Sequence, residues 1–414
     1  VLKSHLRLAF AVLKRRKVFT AISLFGIALT LLVLVVAGAL LDNVFGAFPP
    51  EVHHGRTLLV FNVRMTGKNA QSTSPAGFGL IDRYARDLPG VERVAITSTM
   101  REAFSYQGGR KQRLYLKRTD AEFWRVLQFP FVEGAPFAEA EVDSGARVAV
   151  INRTMRRAFF GDGPALGRDV EVDGLTYRVM GVVEDVPMLR AVPFADVWVP
   201  HSSGRDQAYR SELQGEFWGV LLARSVDDLP QIQAEFRSRM QRIDLSAYPE
   251  FEKLQAMPET LLASTSRMIF ATYDDAESRP DRLIGAFGLA ALLFLALPTI
   301  NLVNLSISRI LERASEIGVR KAFGAPATSL VAQFVLENVV LTLAGGVLAL
   351  LLAPLVLAAI NQSGVVPYAQ LALNLRTFAL GFGLAVLFGV LSGAYPAWRL
   401  ARLHPVVALK GAAR

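Results

Sequence analysis

Side chains able to do chemistry are few in this sequence, and they do not gather. His53-His54 is its one pair of adjacent histidines. Neighbouring residues on a strand point to opposite faces, and no third ligand stands at a metal-site spacing, so the pair reads as ordinary histidines with no metal. Asp274, Asp275, Glu277 and Asp281 form an acidic cluster, read as a solvated face beside an apolar segment. Glu337 and Asn338 stand inside an apolar run. A carboxylate there is costly, so the two belong either to a transport path or to hydrogen bonding within a helix bundle. Asn152-Arg153-Thr154 matches a glycosylation sequon, a triplet common by chance. The absence of cysteine excludes disulfides, thiolate-bound zinc, iron–sulfur clusters and a thiol nucleophile. No G-x-x-x-x-G-K-[ST], H-E-x-x-H or G-x-S-x-G occurs in the 414 residues. No catalytic residue and no bound cofactor are assigned, and a membrane-anchored enzyme is disfavoured.

Hydropathy and charge set the elements that must position these residues. The chain is 52% apolar with mean hydropathy +0.34, high for a soluble enzyme and low for a protein lying wholly in a membrane. Its net charge of +9 could serve nucleic acid, an acidic partner or a membrane surface. The distribution decides. Residues 1–41 carry six bases and no acid, residues 42–282 carry 30 bases and 33 acids, and residues 283–414 carry nine bases and three acids. A nucleic-acid-binding domain concentrates positive charge on a folded soluble unit; here the soluble segment is acidic, and nucleic acid is excluded as a partner. The excess instead sets topology and suits contact with anionic lipid.

Four stretches are long and apolar enough to span a bilayer. Residues 18–41 hold no charge over 24 positions, about 36 Å of helix against a hydrocarbon core of about 30 Å. Residues 283–305, 330–360 and 378–396 are the others. Basic groups Lys14–Lys17, Arg309 to Lys321, and Arg399 to Arg414 all fall on one side of an alternating path, the cytoplasmic side. The first span lacks a clear cleavage site and reads as an uncleaved signal anchor. Residues 1–17 place Leu2, Leu6, Phe10 and Leu13 on one side and the bases elsewhere. That pattern suits an amphipathic helix on the inner leaflet, or a plain basic leader.

Residues 42–282 read as a folded extracytoplasmic α+β domain of two lobes. Strands are expected at 57–63, 91–98, 113–117, 148–151, 177–183, 195–199 and 218–223, and helices at 77–88, 121–126, 153–160 and 229–242. Residues 66–79, crowded with Gly, Ser and Thr, read as a mobile loop, and so do residues 200–216. The predicted order is completed by a cytoplasmic segment at 306–329, a periplasmic loop at 361–377 and a cytoplasmic tail at 397–414.

The most informative stretch is residues 301–326, NLVNLSISRILERASEIGVRKAFGAP. It leaves the membrane as an amphipathic charged helix and stops at Gly324-Ala325-Pro326. Glu312 with Glu316, and Glu316 with Arg320, stand four apart, while Ile310, Ile317 and Phe323 offer an apolar side. Such a helix either binds a cytoplasmic protein or is a linker stabilised by its own ion pairs, and physics alone does not choose. In the last span Gly381, Ala385, Gly389 and Gly393 recur every four residues. They open one helix face to close approach, within the bundle or in a dimer.

Residues 316–325, EIGVRKAFGA, resemble the E-I-G-[IV]-R-[RK]-A-x-G-A signature of FtsX/MacB-like ABC transporter permeases. Gln333–Glu337, Gly345-Gly346, the SGAYPAWR of residues 392–399 and the HPVVALK of residues 404–410 are similar to later parts of the same family. His404 stands where the family often has an acidic or amide residue. Residues 147–183 resemble its MacB-like periplasmic core domain, and the N-terminal 30 residues resemble its first helix. The resemblance implies one span, an extracytoplasmic domain, then three spans. It also implies a dimer with a second copy or paralogue, and a separate ABC ATP-binding subunit that carries ATP and Mg. The coupling helix would lie between spans two and three, with Glu312, Glu316, Arg320 and Lys321 as polar contacts, Ile317 and Phe323 as apolar anchors, and Gly324 as the stop. Motion would pass to the periplasmic domain, where an adaptor or outer-membrane partner can join. Substrates of relatives include peptides, drugs and lipoproteins. The alternative is a signalling or scaffold subunit acting on a periplasmic hydrolase or a sensor kinase.

Overall fold

The computed structural model describes residues 17–107, 110–204, 206–272, 278–312, 319 and 326–401. The amphipathic segment expected at residues 1–16, and Asp274, Asp275 and Glu277 of the acidic cluster, lie outside them. The chain divides into two compact units: residues 43–283 with 364–370, and the remainder.

The second unit is a helix bundle of four spans. The first is Lys17–Phe45, the second Pro280–Glu312, the third Ala327–Ser363 and the fourth Leu375–Ala401. Each contains a window apolar enough to cross a membrane. The first runs past residue 41, because Asp42 and Asn43 continue the helix. Pro298 and Pro354 lie inside the second and third. A spanning helix tolerates them where side chains re-satisfy nearby backbone; beside Pro298, the Thr299 hydroxyl donates back to the Leu295 carbonyl at 2.7 Å. Ile27, Leu31, Leu295, Leu302, Leu341 and Ala385 pack inside the bundle. Leu289, Leu293 and Leu297, four apart, point outward with more than half of their surface exposed, the face a lipid-embedded helix presents.

The other unit is the α+β domain between the first and second spans. In chain order its strands are β1 (Thr57–Val60), β2 (Asn62–Thr66), β3 (Gln71–Pro75), β4 (Val91–Ser98), β5 (Arg101–Gln107), β6 (Arg110–Thr119), β7 (Phe131–Gly134), β8 (Val148–Asn152), β9 (Asp169–Val172), β10 (Leu175–Val183), β11 (Val197–Pro200), β12 (Phe217–Ala223) and β13 (Lys253–Ala256). Its helices are α1 (Phe78–Tyr84), α2 (Glu122–Val126), α3 (Glu139–Asp143), α4 (Arg153–Phe160), α5 (Leu229–Gln241) and α6 (Leu261–Phe270). A mixed sheet runs β1-β12-β4-β6-β11-β8-β10-β7, with β5 on β6 and β9 on β10; β13-β2-β3 form a second, antiparallel sheet. The large sheet narrows where β4 meets β6 through the single pair Thr97–Thr119. Separate apolar cores lie to either side, one around Leu58, Ile81, Leu221 and Phe236, another around Val170, Val179 and Ile151. A third, aromatic core of Phe123, Trp124, Phe129 and Trp198 contains members from both sides of that pair. The two lobes thus share one sheet.

Several expectations are corrected. The strand expected at 57–63 breaks at Phe61 into β1 and β2, which belong to different sheets. Residues 71–75, read as mobile loop, form β3, because β2 supplies its ladder partners from Asn62–Pro75 to Thr66–Gln71. Within 200–216, read as mobile loop, His201–Ser203 and Ala208–Ser211 form 3-10 turns, and His201, Ser202, Ser203 and Tyr209 are buried there. His53 precedes and His54 begins a 3-10 turn, not a strand, and His53 Nε2 lies 3.0 Å from the Gln128 side-chain amide. Asn152 of the sequon is fully buried, donates to Asp196 at 2.9 Å and caps α4 by accepting from the Met155 N–H at 2.7 Å. An oligosaccharide has no access to it in this fold.

Candidate functional site

The second span stays helical through Glu312, and the third begins at Ala327 directly after Pro326. These ends frame the expected coupling helix. Glu316, Ile317, Arg320, Lys321, Phe323 and Gly324 lie outside the described residues.

Among the described residues of the bundle, a set of buried polar side chains joins three spans. Asn338 of the third span donates to the Ser306 hydroxyl of the second and the Ser392 hydroxyl of the fourth, each at 3.2 Å. Gln333 donates to Glu337 Oε1 at 3.3 Å, and Glu337 and Asn338 are both buried. Three helices are therefore tied by one amide. A hydrogen bond of this kind is worth about 1 kcal/mol in a membrane.

The small residues of the fourth span explain how the helices come close enough. A Cβ at Gly389 would stand 2.6 Å from Thr342 Oγ1, and one at Gly393 would meet Asn338 Nδ2 at 3.0 Å and the backbone of Phe334 and Val335 at 3.1 Å. At Gly381 the nearest atom is Leu34 Cδ1 at 3.8 Å, and Ala385 sits in the bundle core. These contacts put the stripe against the chain's own first and third spans.

The core domain holds buried charges that sequence reasoning did not single out. Lys117 on β6 is fully buried and donates to the carbonyls of Ala191 (2.7 Å) and Val192 (2.6 Å). Burial pushes its ammonium down to about 7, opposed by the charge of Glu51. Glu51 is pushed up to about 6 by burial, against the attraction of Arg190 and Lys117; Arg190 Nε lies 3.8 Å from it. Asp120, pushed up to about 7 by burial and held back by Arg86, accepts from the Phe123 N–H at 2.9 Å and so starts α2.

A cleft of about 220 Å³ opens between β2, β13, α5 and α6. Phe61, Met240, Leu254 and Met268 supply apolar wall, and Arg64 and Arg237 line it as well. At its edge Arg267 holds the buried Glu259 through Nε at 3.0 and 3.1 Å and Nη2 at 2.7 Å. No sequence motif marks this cleft, because its walls come from elements far apart in the chain. Among the described residues no group of three His, Asp or Glu could hold a metal ion.

A core domain inserted between the first and second of four spans defines a class of permease. The MacB-like periplasmic core domain matches residues 20–239, over half of the chain, and the FtsX-like permease C-terminal domain matches residues 288–405. The chain belongs to this family, the MacB/FtsX-type permeases of ABC transporters. It is 26% identical over 409 residues to the macrolide export ATP-binding/permease protein MacB of Wolinella succinogenes, covering 98% of this chain and 60% of that protein. To the pyoverdine export ATP-binding/permease protein PvdT of Pseudomonas savastanoi pv. phaseolicola it is 27% identical over 353 residues, 84% of this chain and 50% of that one. The periplasmic region of MacB from Actinobacillus actinomycetemcomitans superposes with a TM-score of 0.39 at 14% identity, covering 56% of this chain and 96% of that structure. The chain thus spans between half and three-fifths of the length of these two curated relatives.

Proposed function

We propose that this chain couples ATP hydrolysis by an ABC ATPase, carried as a separate subunit, to a conformational change of the periplasmic core domain that drives export of an amphiphilic small molecule, peptide or lipoprotein. The observation that carries this reading is the joint match of the core and permease domains, in the order and at the positions where the four spans and the α+β domain lie. Relatives named as macrolide and pyoverdine exporters support export as the task. The basic flanks favour cytoplasmic termini in a bacterial inner membrane. ATP and Mg belong to the partner. A second permease copy, a periplasmic adaptor or outer-membrane protein, and membrane lipid complete the assembly.

Glu312, Glu316, Arg320 and Lys321 are the polar contacts to the ATPase, and Ile317 and Phe323 are the anchors. Reversing two charges, Glu316→Arg with Arg320→Glu, is expected to abolish co-purification of the ATPase while the chain's size-exclusion profile in detergent stays unchanged. Unaltered co-purification would reject the coupling assignment.

A further inference from the structure

Residues 184–196, EDVPMLRAVPFAD, connect β10 to β11 without regular structure. Yet Val186, Arg190, Val192, Phe194 and Asp196 are all buried. The backbone of this segment is partnered in part by itself, with the Arg190 N–H on the Pro187 carbonyl and the Phe194 N–H on the Arg190 carbonyl, and in part by Lys117 on the Ala191 and Val192 carbonyls. Further hydrogen bonds of the segment reach two places, both of them links to the membrane helices.

One is the exit of the first span. The Arg190 guanidinium donates to the carbonyls of Asn43 (2.9 Å), Gly46 (2.6 Å), Phe48 (2.8 Å) and Pro49 (3.0 Å). The other is the link between the third and fourth spans. Residues 364–370 belong to the core domain's compact unit, not to the bundle's. The Met188 N–H donates to the Pro367 carbonyl at 3.1 Å, and the Gln370 amide donates to the Asp185 carbonyl at 3.2 Å. The Tyr368 hydroxyl donates to Asp196 Oδ1 at 2.6 Å, and its ring lies 6.1 Å from that of Phe194. Asp196 in turn accepts from the Asn152 amide of β8 and the Tyr115 N–H of β6 at 2.9 and 2.8 Å. Tyr368 makes these contacts from a left-handed backbone, φ 55°, a conformation rare for an aromatic residue and kept only where surroundings fix it. By contrast, the approach to the second span is held elsewhere: Ser266 of α6 donates to the Arg279 carbonyl at 2.6 Å.

We infer that Arg190 and the Asp196–Tyr368 pair are positioning residues of the transport cycle, which hold the first-span exit and the link between spans three and four in one register on the core domain. The role in transport rests on the function proposed above; the register does not. Neither link can then shift without residues 184–196, and that segment is bonded to the centre of the sheet through Asp196.

The test is hydrogen exchange on the full chain in detergent, with no ATPase present. Tyr368→Phe keeps the ring and removes the hydroxyl. It is expected to speed exchange roughly tenfold, the equivalent of one lost hydrogen bond, in residues 43–48 as well as in 364–370. Arg190→Lys keeps the charge and loses the fork, and is expected to loosen the same two segments from the other end, as reciprocal coupling requires. Loosening confined to the mutated side in either variant overturns the register. With the ATPase added, Tyr368→Phe is expected to keep ATP turnover and lose the accompanying change in core-domain tryptophan fluorescence; retention of that change overturns the positioning role. If the exchange result holds and no ATPase binds the parent chain, the register stands and the proposed function falls.

Discussion

Charge is handled in opposite ways in the two halves of this molecule. The core domain buries ionisable side chains: Lys117 on two carbonyls, Arg190 on four, Glu259 in the fork of Arg267. The bundle's buried polar set is built mostly of amides and hydroxyls, with Glu337 as the one ionisable side chain among its described members. The difference follows from solvent. Removing one partner of a buried pair leaves the other charge unsatisfied in the folded state, while water still solvates it in the unfolded chain; helices separating in lipid, by contrast, still offer polar groups to one another. Buried polarity should therefore be expensive to disturb in the core domain and mild to disturb in the bundle.

The largest effect should come from Arg267→Met, which leaves Glu259 buried without its fork. A loss of about 3–5 kcal/mol is expected in denaturant unfolding followed by tryptophan fluorescence, against less than about 1 kcal/mol for Arg113→Met at the exposed pair with Glu102. Equal losses for the two would break the comparison. Next comes His201, packed against Phe78 and hydrogen-bonded to Tyr209 at 2.8 Å. Burial, with Arg210, Arg118 and Arg86 nearby, lowers its pKa from 6.5 to about 4. Between those values the unfolded chain holds a proton that the folded one does not. This group therefore costs the fold stability as pH falls through that window and nothing above it. Relative to its own offset at pH 7, His201→Gln should gain up to about 3 kcal/mol on the parent by pH 4, and an offset that does not change with pH would remove the assignment. The smallest effect belongs to Asn338→Leu, which cuts the ties to Ser306 and Ser392. A loss of about 1 kcal/mol is expected in SDS titration; a loss matching that of Arg267→Met would erase the contrast between the halves.

The bundle was the more legible half. Four uncharged or nearly uncharged runs fixed its spans, and only their ends moved, as where Asp42 and Asn43 prolong the first helix. Even the small-residue stripe could be seen at its four-residue spacing, though not which neighbour it meets. In the core domain the local signals were good for β4, α4 and β12. They failed at β3, whose Ser and Thr residues carry no hydrophobic alternation and owe their strand to β2. The β9–β10 hairpin had a usable signal that went unread: Asp173-Gly174, both at positive φ (48° and 76°), is the two-residue turn that matches strand twist. Lys117, Arg190, Asp196 and Tyr368 could not be read from the chain at all. Their partners lie 44 to 172 residues away, and a sequence shows a charge without showing what it will touch. The expected coupling helix is the reverse case: the resemblance marks it, and most of it lies outside the described residues.

The docking of residues 364–370 on the core domain also orders the making of the protein. Those residues follow the third span, so they leave the ribosome only after the segment 43–283 has been synthesised, and they reach the far side of the membrane only once that span is inserted. Until then Asp196 lacks its tyrosine and the Met188 N–H its carbonyl. The domain's last bonds thus close late, and a fully closed domain reports that the third span has been inserted.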